Sequence, residues 1–187
     1  LLAYPVGIIG GRVGPSRFSR AVIPAQAVAI STQSSIASLP AMLRGAEALR
    51  IPVATAGVVL PLAVAIFRAT GPAMNLAVAL YIAYWFGVEL GPAQIAAGIA
   101  AAAITTMGSV GLPGQITFIT AIAPICMAMG VPIAPLALLI AVENIPDIIR
   151  TLGNVTMDVA ATATVSRKSG SEPTSAEGQP IEQGPGS

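Results

Sequence analysis

Long apolar runs, cut by a few polar interruptions, set the pattern of this chain. Residues 21–43 and 90–142 carry no charge. Residues 51–88 are apolar except for Arg68, and Glu89 closes that span. A helix crossing a bilayer needs about 20 apolar residues, so each run is long enough to cross or to enter one. Two runs are interrupted inside. The first is broken by Ser31-Thr32-Gln33-Ser34-Ser35 and by Ser38-Leu39-Pro40. The second is broken by the stretch from Thr105 to Gly114, which contains Gly108, Gly111, Pro113 and Gly114. Glycine and proline break a helix, and hydroxyl side chains collect at both breaks. Each run therefore predicts helix, polar tip, helix: a hairpin that enters the membrane and turns back. Irregular backbone at that depth persists only where protein or a water-filled cavity covers it. Paired interrupted segments point to a binding site.

One further stretch departs from the apolar background. With 143–164 as a helix at about 100° per residue, Glu143, Asp147, Arg150, Asn154 and Asp158 fall within an arc of about 80°. Thr151 borders the arc, and Ile, Leu, Val and Ala fill most of the rest of the turn. Ionisable groups at membrane depth are expensive, so such a stripe is expected to face a cavity, to pair, and to carry function.

Composition agrees with a membrane setting. Hydrophobic residues make up 55% and charged residues 9%, against about 25% charged in soluble domains. Mean hydropathy is +0.81. The net charge of +1 and the lack of a basic or aromatic cluster argue against a nucleic-acid partner. Histidine is absent from the sequence, which removes Ser-His and Cys-His catalysis and most zinc or iron sites. Cys126 is the one cysteine, so no disulfide forms within the chain, and a buried packing role is expected for it. A carboxylate dyad is excluded as well: Asp147 and Asp158 lie about 16 Å apart along one helix. Arg150 beside Glu143 and Asp147 favours both being ionised over their sharing a proton. No enzyme is expected. The chain opens at Leu1 without a signal-peptide pattern and is expected to be a fragment.

Charge placement tests the topology. If both interrupted runs are re-entrant, then Arg12, Arg17, Arg20, Arg44, Arg50, Arg167 and Lys168 share one face, and the other face has no Lys or Arg. The positive-inside rule makes the first face cytoplasmic. The fold expected is an all-α multi-pass membrane protein with two re-entrant helical hairpins and two spanning helices, one of them broken. Residues 1–166 would form one membrane unit: hairpin 1 at about 17–50, a spanning helix at 51–88, hairpin 2 at about 91–131, and a spanning helix at 133–166. Arg12, Arg17 and Arg20 read as a basic loop, and Arg44, Glu47 and Arg50 as a solvated one. Residues 167–187 read as a disordered cytoplasmic tail.

Three motifs resemble the dicarboxylate/amino acid:cation symporter family, the glutamate transporter homologues. The first is Ser34-Ser35-Ile36-Ala37-Ser38-Leu39-Pro40. The second is Gly111-Leu112-Pro113-Gly114. The third, long and specific, is Glu143-x-x-x-Asp147-x-x-Arg150-Thr151-x-x-Asn154-Val155-x-x-Asp158. The resemblance covers about 10–166 and implies that residues 1–166 form a partial transport domain. It implies a symporter for acidic amino acids or dicarboxylates, a bacterial inner-membrane location and a homotrimer in full-length form, with the lipid bilayer as its surroundings. Sodium or a proton would be the coupling ion, with no other cofactor. A non-transporting remnant, or a membrane structural or interaction protein of the same fold, is the competing reading.

The resemblance also implies roles. Arg150 would bind the substrate's side-chain carboxylate, Asp147 its ammonium and Asn154 its α-carboxylate. Thr151 would add a hydroxyl contact, and Ser34, Ser35, Val110 and Gly111 would line the pocket. Glu143 would orient Arg150 or couple a proton. Asp158 would help to bind the coupling cation, with Asn154, Thr106 and Ser109 as further candidates. One departure is large. The family's Asn-Met-Asp-Gly-Thr segment, which supplies sodium ligands, falls on Phe67-Arg68-Ala69-Thr70-Gly71. The amide and carboxylate are gone, and Arg68 becomes a candidate built-in cation.

Overall fold

The computed structural model of the chain describes residues 2–108 and 115–170, and all the regular structure in them is helical. A short helix α1 (Ala3–Pro5) runs into a π-helical turn, Val6–Gly10. Then come α2 (Pro15–Thr32), α3 (Ser35–Ala48), α4 (Val53–Ile66), α5 (Gly71–Trp85), α6 (Pro92–Gly108), α7 (Gln115–Met129) and α8 (Leu136–Lys168). The 167–187 tail expected from composition lies outside the described residues beyond 170.

The two-residue connection Gln33–Ser34 folds α3 back onto α2. Gln33 ends α2 in the left-handed region, φ 52°, a conformation that a helix terminus often uses to reverse the chain. Ser34 caps α3, its Oγ accepting from the Ala37 N–H at 3.2 Å. At the base of the pair, Arg17 Nη2 donates to the Ala48 carbonyl at 3.1 Å. The interruption is narrower than the sequence suggests. Ser38, Leu39 and Pro40 sit inside α3, and the helix runs on through Pro40. Arg17 and Arg20, expected in a loop, belong to the first turns of α2, where Pro15 starts the helix. Arg44 and Glu47 are helical in α3.

The run 51–88 is two helices. Residues 67–70 separate α4 from α5, and an 18-residue window within Val53–Trp85 has a mean hydropathy of 1.8. Among the described residues it alone meets the length and hydropathy of a bilayer crossing. The last helix, α8, is longer than a bilayer needs, but its charges interrupt the apolar run.

Packing divides the molecule into two cores. Phe18, Val22, Ala29, Met42, Ala46 and Leu60, from α2, α3 and α4, pack against Val155, Val159, Ala160 and Ala163 of α8. Ala79, Ile82, Ala102, Phe118, Ile122, Ile125, Cys126 and Met129, from α5, α6 and α7, pack against Leu136 and its neighbours at the other end of α8. Each core thus holds one helix pair, one half of the broken helix and one end of α8. Small residues allow the close approaches: a Cβ on Gly45 would lie 2.5 Å from the Ala21 carbonyl oxygen across the first helix pair.

Candidate functional site

Residues 143–158 of α8 lie where the two cores meet. Glu143, Arg150, Thr151, Asn154 and Asp158 are buried. Ile145 and Ile149, on the opposite face, are 68% and 59% exposed. Helical periodicity alone thus sorts this segment into a buried polar face and an exposed apolar one.

Arg150 holds the centre. Its Nη2 lies 2.7 Å from Glu143 Oε1, and its Nη1 lies 3.4 Å from Asp147 Oδ1. The Glu143 contact is an ion pair, and Nε and Nη2 have no hydrogen-bond partner among the described residues. Arg150 is only 6% exposed. A buried guanidinium with unused donors is chemically suited to fork onto a carboxylate.

Two breaks in the chain press on this segment. The hairpin tip contributes Gln33: its Nε2 donates to Asn144 Oδ1 at 2.6 Å, and its carbonyl accepts from Thr151 Oγ1 at 3.4 Å. Ser34 and Ser35 are buried beside it. The break between α4 and α5 contributes Thr70. Its N–H and Oγ1 donate to Asn154 Oδ1 at 3.0 and 2.8 Å, and Oγ1 also lies 3.1 Å from the Arg150 carbonyl. Gly153 permits this approach, since a Cβ there would stand 2.7 Å from Thr70 Cγ2.

Arg68, two residues before Thr70, lies in electrostatic reach of Arg150, Asp147 and Asp158. Arg68 and Arg150 line one small cavity of about 10 Å³ together with Gly71, Asn75, Thr106 and Thr117. That volume suits about one water or a comparable small species. Asn75 Oδ1 and Asp158 Oδ1 are buried without hydrogen-bond partners among the described residues, and Asp158 is 1% exposed. The Thr106 hydroxyl donates to the Ala102 carbonyl at 2.7 Å.

The described residues therefore bring together Ser34, Ser35, Arg68, Thr106, Glu143, Asp147, Arg150, Thr151, Asn154 and Asp158 around one stretch of α8. Ser109, Val110 and Gly111 lie outside the described residues. Thr70 and Asn75 were not singled out from sequence. The signal for Asn75 was present: an amide within a run of apolar residues, at a position that proves buried. Among the described residues no group of histidine, cysteine or carboxylates is arranged to hold a metal ion.

The chain is similar to known transport proteins. It is 30% identical over 141 residues to C4-dicarboxylate transport protein 1 of Pseudomonas aeruginosa (strain UCBPP-PA14), covering 75% of this chain and 31% of that protein. It is 28% identical over 141 residues to the proton/glutamate-aspartate symporter of Escherichia coli (strain K12), covering 75% and 32%. It is 32% identical over 165 residues to excitatory amino acid transporter 3 of Mus musculus, covering 86% and 31%. The chain thus spans about a third of the length of these curated relatives. The sodium:dicarboxylate symporter family model matches residues 1–168, through both helix pairs, the broken helix and the polar face of α8. By that match the chain belongs to the sodium:dicarboxylate symporter family.

Proposed function

We propose that this chain forms the substrate- and cation-binding part of a cation-coupled symporter for acidic amino acids, working in a bacterial inner membrane with its C-terminus in the cytoplasm. The observation that carries the reading is the buried Arg150, with unused donors, held between Glu143 and Asp147. Arg150 takes the substrate's side-chain carboxylate as a fork. Asp147, one turn away and the least buried of the three site acids on that face, takes the ammonium. A plain dicarboxylate offers Asp147 no ammonium, so aspartate and glutamate are favoured over succinate and malate.

Glu143 holds the guanidinium in place. Thr151, Ser34 and Ser35 supply polar contacts beside it, and Val110 and Gly111 are assigned to the substrate by the family resemblance alone. Asn154 and Asp158 connect the substrate position to the coupling cation, sodium or a proton, with Thr106 and Ser109 nearby in the chain's second break. The two hairpins enter the membrane from opposite sides, and the full-length assembly is a homotrimer.

The test is binding of aspartate, glutamate and succinate to the purified protein. Removing one partner of a buried ion pair costs about 3–5 kcal/mol, so Arg150→Ala weakens aspartate binding by about two orders of magnitude or more. Unchanged aspartate affinity in that variant refutes the assignment. Succinate bound as tightly as aspartate refutes the role of Asp147.

A further inference from the structure

The charges gathered at the site do not balance. Three carboxylates, Glu143, Asp147 and Asp158, lie with two guanidiniums, Arg150 and Arg68. The stretches 21–43 and 90–142 contain no Asp, Glu, Lys or Arg, and 51–88 contains only Arg68. The undescribed tip 109–114 is included in that statement, because its sequence has no charged residue. The other charges of the packed helices sit at helix ends away from the Gln33–Ser34 tip: Arg17 and Arg20 in the first turns of α2, Arg44 and Glu47 in the last turns of α3, and Arg167 and Lys168 at the end of α8. Counted with every carboxylate ionised, the empty cluster is short of one positive charge.

Arg68 is held in this arrangement by backbone as well as by charge. Thr70 pins residues 67–70 to α8 with hydrogen bonds to Asn154 and Arg150, across the gap that Gly153 leaves open. Arg68 and Arg150 face the same small cavity. Asp158, buried to 1% exposure with Oδ1 lacking a hydrogen-bond partner among the described residues, lies within electrostatic reach of Arg68. A guanidinium stays charged in proteins, so its contribution to the count is permanent.

We infer that Arg68 is a resident counter-charge that takes the place of one coupling cation. The inference rests on the symporter reading given above and deepens it by fixing a number. An acidic amino acid brings two carboxylates and one ammonium, which adds one net negative charge. The occupied cluster then lacks two positive charges. With a neutral residue at position 68 it would lack three. Arg68 thus lowers by one the number of cations that bind with each substrate molecule.

The experiment measures aspartate binding to the purified protein as sodium chloride replaces choline chloride at constant ionic strength, and again across pH at fixed sodium. The slopes of log Kd against log cation activity, summed for sodium and protons, give the number of linked cations. Arg68→Met raises that sum by one. Arg68→Lys leaves it unchanged. The double variant Arg68→Met/Asp158→Asn, which removes one charge of each sign, returns it to the wild-type value. A wild-type sum in a folded, binding-competent Arg68→Met variant overturns the proposal. Should Arg68→Met fail to fold, the double variant decides: recovery of folding with the wild-type sum supports the count, and failure to recover overturns it. If the wild-type protein binds no aspartate under any condition, the substrate reading fails by itself. The proposal is then read from thermal unfolding without substrate, where Tm must rise more steeply with sodium in Arg68→Met than in wild type. Equal rises overturn it.

Discussion

Gly153 offers a severe test of how the broken helix is held against α8. Replacing it by alanine improves helix propensity by about 1 kcal/mol, so an isolated helix would gain. Here the added Cβ would stand 2.7 Å from Thr70 Cγ2, where ordinary contact begins at 3.4 Å. Thr70 must retreat by the difference, about 0.7 Å. Its contacts to Asn154 and Arg150 start at 2.8, 3.0 and 3.1 Å, and a retreat of that size carries them to or past the usual limit for a hydrogen bond. Thr70 has one N–H and one O–H to donate, so two hydrogen bonds at about 1 kcal/mol each are at stake, and strain from overpacking adds about 1–3 kcal/mol. Set against the propensity gain of about 1 kcal/mol, the net destabilisation is about 2–4 kcal/mol. Thermal unfolding of the purified protein reads this as a fall of about 2–4 °C per kcal/mol. Thr70→Ser removes the clashing Cγ2 and keeps the hydroxyl, so adding it to Gly153→Ala restores most of the lost Tm. An unchanged or raised Tm in Gly153→Ala, or no recovery in the double variant, refutes the reasoning.

Gly45→Ala tests the first helix pair in the same currency but without a remedy. The new Cβ meets the Ala21 carbonyl oxygen at 2.5 Å, and backbone cannot step aside as a methyl can, so the variant is expected to lose at least as much Tm as Gly153→Ala. Trp85, the sole tryptophan, ends α5 beside exposed Tyr81, Tyr84 and Phe86. Such an aromatic group belongs at a membrane–water interface. In liposomes its fluorescence is expected to be quenched more by lipids brominated near the headgroup than by lipids brominated near the bilayer centre, and the opposite order refutes that placement.

The polar face of α8 was legible because charged residues at helical spacing leave a one-sided mark that nothing apolar can imitate. Glu143 and Arg150, seven residues apart, meet at 2.7 Å for that reason. The break at Gln33–Ser34 was legible from its run of hydroxyls, whereas the one at 67–70 was expected through the family resemblance, which places the Asn-Met-Asp-Gly-Thr segment there. The continuity of α3 through Pro40 was not, because a proline in the first turns of a helix displaces few backbone hydrogen bonds. The helical turn at residues 3–10 was missed because Gly7, Gly10 and Gly11 argue against a helix locally. Packing overrides that: Gly10 and Gly11 lie against Thr164 and Ala163 of α8, and Arg167 bonds the Gly10 carbonyl at 2.9 Å. The division into two cores was illegible altogether. Helix α4 is apolar on every side and α5 nearly so, Asn75 apart, so hydropathy says little about which side meets protein. The choice is made by small residues and shape. Thr70 also escaped notice, because its partner Asn154 is 84 residues away in the chain.

The sharing of α8 between the two cores makes that helix a torsion bar. One end is gripped by α2, α3 and α4 around Val155–Ala163, and the other by α5, α6 and α7 around Leu136. The middle, 143–153, is its softest length: Pro146 cannot donate the bond that would tie it to Val142, and Gly153 is a weak helix former. Twist applied between the two grips therefore concentrates in the middle, where Glu143, Asp147 and Arg150 are mounted. The mechanical consequence runs in both directions. A bound molecule that fixes the angles among these three side chains stiffens the bar and locks the orientation of one helix pair against the other. An empty site leaves that orientation free to turn.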